Sequence, residues 1–149
     1  MRVVLQRVLE ARVRVAGRTV GEIGRGFLLL TGMAPGDGPE EIEWMARKIA
    51  GLRVFEDGDG KMNLPLGAVA GSCLVVSQFT LFGDCRKGFR PGFTGAAPAA
   101  EAAAGVEAFV AALRALGVDV ATGIFQAEMQ VHLVNDGPVT LILERVAGG

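Results

Sequence analysis

The stretch from residue 1 to residue 32 constrains the fold most strongly, because it contains three short apolar runs separated by turn residues. Val3 to Val8 and Ala11 to Ala16 are rich in valine and alternate with polar residues, which is the period-two pattern of strands with one wet face. Gly17-Arg18 predicts a hairpin turn into a strand from Thr19 to Ile23. The run from Gly26 to Thr31 is continuously apolar and too short for an independent helix, so it predicts a central strand.

Two helical segments interrupt this strand-rich pattern. The first is predicted to follow an N-cap at Asp37 and to end at Gly51. The residues at the spacing of its buried face are Ile42, Met45, Ala46 and Ile49. The second is predicted from about Pro98 to Leu116, with Gly117 as its stop. The residues on its apolar face are Val106, Phe109, Val110, Leu113 and Leu116.

The remaining apolar runs predict further strands. They are Leu74 to Leu81, Val118 to Ile124, Met129 to Asn135 and Val139 to Val146. Strands with two inserted helices predict an α+β fold with a curled, barrel-like and mostly antiparallel sheet. The 149 residues suffice for a buried core, and we expect a single domain over residues 1–149.

Charge and cysteine content narrow the classes of function. The formal net charge of -1 argues against gripping long nucleic acids by bulk charge, so any RNA contact should be local. Charged residues within the first eight positions predict neither a signal peptide nor a membrane span, and we expect a cytoplasmic protein. Cys73 and Cys85 have neither zinc-site spacing nor the density of a disulfide scaffold, so we expect free thiols, no metal and no cofactor.

Polar residues at two places in the strand pattern are candidates for chemistry. Ser77, Gln78 and Thr80 interrupt a hydrophobic run, and a buried polar group without a hydrogen bond costs about 1 to 3 kcal/mol. They therefore need partners or a ligand, unless they form the polar face of a half-exposed strand. The segment from Asn135 to Pro138 has the composition of a turn between two strands, and by itself it indicates only that.

A third candidate is the cationic segment from Cys85 to Pro91. Arg86, Lys87 and Arg90 are suited to an RNA phosphate and Phe89 to stacking on a base, whereas the alternative is a solvated surface loop. The single histidine, His132, alternates with apolar residues, which favours a structural role over that of a catalytic base. The common nucleophile-elbow, zinc, phosphate-loop and dinucleotide motifs are absent from the sequence.

These residues resemble the D-aminoacyl-tRNA deacylase family. The motifs that carry the resemblance are Ser77-Gln78-Phe79-Thr80-Leu81 and Asn135-Asp136-Gly137-Pro138-Val139-Thr140. Similar stretches extend over nearly the whole chain, and Phe82-Gly83 is a departure at a position where the family usually has tyrosine and alanine. The resemblance implies hydrolysis of the ester of D-aminoacyl-tRNA, and of glycyl-tRNA mischarged on tRNA-Ala. It also implies a homodimer with active sites at the subunit interface.

The same resemblance assigns roles to individual residues. A cis Gly137-Pro138 peptide, inserted into the partner's site, would exclude L-amino acids. Ser77, Gln78, Phe79 and Thr80 would be the catalytic segment, in which backbone amides near Phe79 and Thr80 bind the oxyanion. The terminal ribose 2'-hydroxyl would assist hydrolysis, because a threonine hydroxyl without a base is a weak nucleophile. The residues expected to hold the tRNA 3' end are Arg86, Lys87, Phe89, Arg90, Phe125 and Met129, the last two with core packing as the alternative.

Two other classes of function use the same features. A non-catalytic module would bind the aminoacylated 3' end of tRNA and protect the ester. A metabolite-binding barrel would have no RNA role, so that the cations of the 85–91 segment would not affect tRNA binding. Hydrolysis of D-aminoacyl-tRNA distinguishes the first alternative, and charge neutralisation distinguishes the second.

Overall fold

The strand β1 (Arg2–Val15) lies at the centre of the structure, a computed structural model that describes residues 1–148. One edge of β1 pairs antiparallel with β3 (Gly26–Gly32) along its first half and with β2 (Arg18–Ile23) along its second half. The other edge pairs antiparallel with β8 (Gln130–Glu144) along almost its whole length. The predicted N-terminal strands are therefore confirmed, with the first two joined into one.

The sheet continues from β3 through two parallel strands. β6 (Ser72–Ser77) lies parallel to β3 and to β7 (Asp119–Thr122). The β7 end of the sheet then curls back toward β2, where the backbone of Gly21 packs against the carbonyl of Thr122. The sheet is thus nearly closed, mixed and mostly antiparallel, which confirms the predicted α+β class with a barrel-like sheet.

The helices α1 (Pro39–Gly51) and α2 (Ala99–Ala115) pack against each other and against this sheet. The predicted buried face of α1 is confirmed, since all four of its residues are buried. On α2 the predicted burial of Leu116 is wrong, because that side chain is 47% exposed beyond the end of the helix. The buried residues of α2 are Ala102, Gly105, Phe109, Val110 and Leu113.

The start of α1 also differs from the prediction. Gly38 is the N-cap, and its backbone amide donates to the carboxylate of Glu41 at 2.8 Å. This contact lowers the pKa of Glu41, mainly through the hydrogen bond from Gly38. Asp37 instead pairs with the α-amino group of Met1 at 2.6 Å and accepts from the amide of Ala34. The carboxylate that we predicted as a cap therefore fixes the chain start against this loop.

Two strand boundaries were predicted incorrectly. The predicted strand from Leu74 to Leu81 ends at Ser77, and residues Phe79–Phe82 form a short 3-10 helix. The predicted turn at residues 135–138 lies inside β8, because the segments on both sides pair with the same long strand. A small hairpin was not predicted at all, with β4 (Phe55–Glu56) and β5 (Met62–Leu64) on either side of a turn. A second 3-10 helix spans Leu66–Val69.

The two cysteines lie in different environments. Cys73 is buried and Cys85 is exposed, and both are free thiols. Burial raises the pKa of the Cys73 thiol to about 12, so it stays protonated and unreactive at neutral pH. Within residues 1–148, no helix is long and apolar enough to span a membrane.

Barrel closure predicts a strong effect at Gly21. A Cβ atom at this position would overlap the Thr122 carbonyl, so Gly21→Ala must separate β2 from β7. We expect this substitution to lower the free energy of unfolding by about 2 to 3 kcal/mol, as overpacking does. Chemical denaturation of Gly21→Ala and Gly24→Ala measures the difference, since a Cβ at Gly24 meets no atom within 4 Å. Equal stability of the two variants would contradict the closure contact.

Candidate active site

An apolar cleft of about 580 Å³ opens beyond the end of β6. We call it the apolar cleft, and its lining includes Ser77, Phe79, Phe93, Phe125 and Met129. Phe79 and Phe93 meet edge to face, with ring centroids 5.1 Å apart. Small side chains from the start of α2 form another wall. The lining is therefore mainly apolar and partly aromatic, which suits a planar ring better than a flexible polar ligand.

The Ser77 to Thr80 segment forms the rim of this cleft. Ser77 ends β6, and the amide of Gln78 completes the ladder to β3 by donating to the carbonyl of Thr31 at 2.8 Å. The chain then enters the 3-10 helix, in which the amide of Leu81 donates to the carbonyl of Gln78. The side-chain amide of Gln78 donates to the Thr80 hydroxyl at 3.0 Å. Phe79 and Thr80 are exposed. The polar groups that interrupt the hydrophobic run therefore lie at a surface, partly paired with each other.

The backbone amides of Phe79 and Thr80 point to a possible role for this turn. Leu81 donates to the carbonyl of Gln78, and Gly83 donates to the carbonyl of Thr80. Among residues 1–148, no hydrogen bond from the amides of Phe79 or Thr80 is found outside the 3-10 helix itself. Two neighbouring N–H groups beside an apolar cleft can donate to a developing negative charge on a bound molecule.

Asp136 to Val139 form a bulge in β8, which we call the 136–139 bulge. Gln6 pairs with Thr140 and Val8 pairs with Asn135, so four residues of β8 stand opposite Arg7 alone. The side chain of Asn135 closes the base of the bulge, because it accepts from the amide of Val139 at 2.8 Å and donates to its carbonyl at 3.1 Å. Gly137 and Pro138, joined by a cis peptide, are exposed at its tip.

Arg7 fixes this bulge from below. Its side chain is only 6% exposed, and its Nε donates to the carbonyl of Asp136 at 2.9 Å. Its Nη1 donates to the carbonyl of Val54 at 2.6 Å, and the Asp136 carboxylate lies 3.5 Å from its Nε. A buried guanidinium with this set of acceptors holds the bulge in one conformation.

The two motifs lie at different places in the structure of the chain. Ser77 and Phe79 line the apolar cleft together with Phe125 and Met129. Gly137 and Pro138 are not among the residues that line it, and they lie at the tip of the 136–139 bulge in β8. The cleft of one chain therefore contains residues of the first motif and not of the second.

The cationic 85–91 segment lies on the surface after the 3-10 helix. Arg86 is tied back to Asp84, with its Nη2 2.8 Å from the carboxylate. These hydrogen bonds lower the pKa of Asp84 and raise the pKa of Arg86. Lys87, Phe89 and Arg90 are exposed, and the side chain of Phe89 contacts almost nothing. The segment therefore presents two unengaged cations and an exposed aromatic ring.

His132 lies away from this region. It pairs with Arg12 across β1 and β8, and it lines a separate surface cleft with Glu10 and Glu22. Within residues 1–148, no three His, Cys, Asp or Glu side chains are grouped as metal ligands. His132 therefore does not provide a base that could activate the Thr80 hydroxyl.

Two contributors to the site were not predicted from the sequence. Arg7 resembles the other arginines of an alternating strand. The one signal that could have indicated its role is its place among the apolar residues of the buried face of β1, where a charge is unusual. Phe93 follows the cationic segment without a distinguishing pattern, and it reaches the apolar cleft because the isolated bridge between Asp84 and Gly92 folds that loop back.

The chain is similar to known proteins over almost its full length. A family model described as D-Tyr-tRNA(Tyr) deacylase matches residues 4–144. A D-aminoacyl-tRNA deacylase from Geobacter sulfurreducens is 58% identical over 97% of this chain and 95% of its own. One from Thermotoga petrophila is 56% identical over 97% of both chains.

Two solved structures are similar in fold to this chain over almost its full length. A c-Myc DNA unwinding element binding protein superposes with a TM-score of 0.91 at 42% identity, covering 99% of this chain and 100% of that one. A probable eukaryotic D-amino acid tRNA deacylase shares the fold, with a TM-score of 0.81 at 19% identity over 95% and 97% of the two chains.

The contacts of Arg7 predict a large loss of stability when they are removed. Arg7→Met leaves the carbonyls of Val54 and Asp136 without their buried donor, and we expect a loss of about 2 to 4 kcal/mol in the free energy of unfolding. Arg12→Met is the matched control on the same strand, because no hydrogen bond of the Arg12 side chain is found in residues 1–148, and it should change stability by less than about 0.5 kcal/mol. Chemical denaturation measures both, and a neutral Arg7→Met would contradict the anchoring role.

Proposed function

This chain belongs to the D-Tyr-tRNA(Tyr) deacylase family, and we propose from that premise that it hydrolyses the ester bond of D-aminoacyl-tRNA. The observation that carries the proposal is the apolar cleft: within residues 1–148, its rim has two amides without acceptors outside the 3-10 helix, and its lining has no histidine, carboxylate or lysine. An aminoacyl ester is already activated, so it needs a positioned water and a stabilised oxyanion more than a strong base. We expect the enzyme to act without metal or cofactor, in the cytoplasm.

The terminal adenosine of the tRNA occupies the apolar cleft in this proposal. Phe79, Phe125 and Met129 supply apolar surface against the base, which is how single-stranded RNA ends are usually held. The ester then lies at the rim, where Ser77 and Gln78 position it. The exposed cations Lys87 and Arg90, with Arg86 and Phe89, hold the preceding nucleotides of the 3' end.

The hydrolytic step uses the amides of Phe79 and Thr80 as the oxyanion hole. Water adds to the ester carbonyl, and these two N–H groups donate to the oxygen that becomes negative. The ribose 2'-hydroxyl relays the proton from the water to the departing ribose 3'-oxygen as the carbon–oxygen bond breaks. The products are the free amino acid and tRNA. Thr80, held by Gln78, is a positioning residue and not the nucleophile.

The 136–139 bulge of a second subunit provides the selection against L-amino acids. Its rigid anchoring by Arg7 and Asn135 supports this role, because a filter that works by exclusion must not yield to the wrong substrate. The backbone around Gly137 and Pro138 would occupy the space that an L side chain requires. A D side chain points elsewhere and glycine has none, so glycyl-tRNA mischarged on tRNA-Ala is a second substrate.

A homodimer brings the two motifs together. In residues 1–148, β8 pairs with β1 alone, and several apolar side chains of β8 are exposed to solvent. Val134, Leu141 and Ile142 are 44%, 36% and 72% exposed. Exposed apolar residues along an open strand edge favour association with another chain. The active sites would then lie at the subunit interface.

Enantiomer selection tests the proposed function. We expect the protein to release amino acid from D-tyrosyl-tRNA and from glycyl-tRNA. The rate of hydrolysis of L-tyrosyl-tRNA should be lower than that of D-tyrosyl-tRNA by a factor on the order of 100 or more. Acid precipitation of radiolabelled aminoacyl-tRNA over time measures all three rates. Protection of the D-ester from spontaneous hydrolysis would instead identify a non-catalytic binding module. Hydrolysis of both enantiomers at the same rate would contradict the filter alone.

The division of labour between Thr80 and the ribose gives a second prediction. Thr80→Ala removes one hydrogen bond to Gln78 and should lower kcat by no more than roughly 10-fold. A D-aminoacyl-tRNA that ends in 2'-deoxyadenosine lacks the proton relay, and its rate of hydrolysis should fall by a factor on the order of 100 or more. Single-turnover rates compare the two changes with wild type. The opposite ranking would make Thr80 the nucleophile.

A further inference from the structure

A second cleft lies between α1 and the end of the chain, outside the site described above. It has a volume of about 620 Å³. We call it the Trp44 groove, and its lining residues include Trp44, Arg47, Lys48, Arg53 and Arg145. Trp44 and Leu52 are its only apolar side chains among residues 1–148, and apart from Gly51 the rest of the lining is charged. Pockets for small organic ligands are mostly apolar, so this lining fits a polar, charged partner better.

The charge of the groove is positive although the whole chain is nearly neutral. Four cations line it against two carboxylates, Glu40 and Glu43, which leaves an excess of two positive charges in a protein of net charge -1. The carboxylates lie 3.5 Å from Arg145 and 4.0 Å from Arg47. In residues 1–148, Lys48 and Arg53 have no carboxylate partner within ion-pair distance.

Aromatic and neutral polar groups help to hold three of the four cations in place. The Lys48 ammonium lies 5.4 Å from the centre of the Trp44 ring, and the Arg145 guanidinium lies 5.3 Å from it. The indole orients both side chains through cation–π contacts, and Arg145 also pairs with Glu40, whereas in residues 1–148 Lys48 pairs with no carboxylate. Arg53 donates to the backbone carbonyl and side-chain oxygen of Asn63, both of which are neutral. The groove is thus a preorganised array of positive charge.

Both ends of the groove are connected to the proposed active-site segments. Arg53 precedes Val54, whose carbonyl accepts from Arg7, and Arg7 anchors the 136–139 bulge. At the other end, Arg145 follows Glu144, which pairs with Arg2 at 2.9 Å.

Arg2 continues this second connection. Its Nη1 donates to the carbonyl of Leu81 at 2.7 Å, in the 3-10 helix that carries Phe79 and Thr80. The same guanidinium lies 4.8 Å from the ring centre of Phe82. One side chain thus links each end of the groove to a motif: Arg7 to the 136–139 bulge and Arg2 to the 3-10 helix.

From this placement we propose that the Trp44 groove binds the phosphate backbone of the tRNA acceptor stem. The inference rests on the proposed function, because a substrate whose 3' end lies in the site must carry its polyanionic stem across the neighbouring surface. Duplex RNA is recognised mainly by shape and by phosphate and 2'-hydroxyl contacts, which an array of fixed cations provides. An acidic protein segment has the same sign of charge, but nothing in the proposed reaction brings one to this surface.

The experiment compares a complete substrate with one that lacks the stem. Lys48→Gln with Arg53→Gln removes the two cations without carboxylate partners. We expect KM for D-tyrosyl-tRNA to rise by roughly 3- to 20-fold, the effect of losing two exposed ion pairs, with kcat unchanged. The slope of log kcat/KM against log salt concentration should become shallower by about 2. Hydrolysis of a D-tyrosyl-CCA trinucleotide should proceed as in wild type.

The matched control is Arg18→Gln with Arg114→Gln, which removes the same charge from residues outside the groove. It should leave KM for both substrates as in wild type. If the test variant and the control have the same KM for the full tRNA, the groove does not bind the stem, and an acidic protein partner becomes the better assignment. If the test variant loses activity equally on the trinucleotide, the two residues act on the active site and the proposal is overturned.

Two further measurements keep these outcomes interpretable. Lys48→Glu alone, on the exposed face of α1, should reproduce the rise in KM for tRNA, and an unchanged KM for this folded variant would overturn the proposal. The wild-type protein is assayed in parallel. Failure of wild type to hydrolyse D-tyrosyl-tRNA would contradict the proposed function, whereas failure of the variants alone to differ would contradict only the groove.

Discussion

The pairing of β1 on both of its edges is the constraint on which the rest of the structure depends. One edge begins the nearly closed sheet through β3 and β2, and the other holds β8 as an additional strand outside it. Because β8 follows β1 over almost its full length, its extra residues cannot be absorbed at an end and must bulge out opposite Arg7. The same arrangement leaves the outer edge of β8 open. The bulge and the open edge thus have one origin.

Arg7 holds the 136–139 bulge in place. A charge on the buried face of a strand is costly unless its donors find acceptors, and the Nε and Nη1 groups of Arg7 find theirs in the bulge and in the segment before β4. Two parts of the chain that are distant in sequence are therefore held in one position by a single side chain. The apolar cleft is stabilised differently, by packing of Phe79 against Phe93 and of small residues from α2.

In residues 1–148, the lining of the apolar cleft contains no histidine, carboxylate or lysine side chain, which limits the chemistry available there. In the proposed mechanism, backbone amides and an already activated ester suffice because the substrate supplies its own proton relay. Selectivity would then depend on what the protein excludes rather than on what it recognises. Binding energy for the tRNA can come from surfaces away from the reacting atoms, such as the 85–91 segment and the Trp44 groove, because those contacts do not need to distinguish enantiomers.

Local pattern was sufficient for most of the secondary structure and for several of the residues at the cleft, although not for Phe93. Alternation and apolar runs predicted the N-terminal strands, and helical spacing predicted the buried face of α1. Errors occurred where a distant partner decides. Ser77 to Thr80 looked like strand, but pairing with β3 ends at Thr31 and Ser77, and the chain then enters a 3-10 helix. Asp37 looked like a helix cap, but the α-amino group of Met1 takes its carboxylate.

The sequence by itself determined the fold class, the family and the identity of the two motifs, because periodicity and local motifs are written in consecutive residues. Only the tertiary structure decided that residues 136–139 form a bulge, that Arg7 anchors it, and that Gly137 and Pro138 lie outside the lining of the apolar cleft of their own chain. Those facts depend on which strands pair and in which register. Register is set by the burial of whole faces and not by neighbours in sequence, so it could not be inferred from either motif alone.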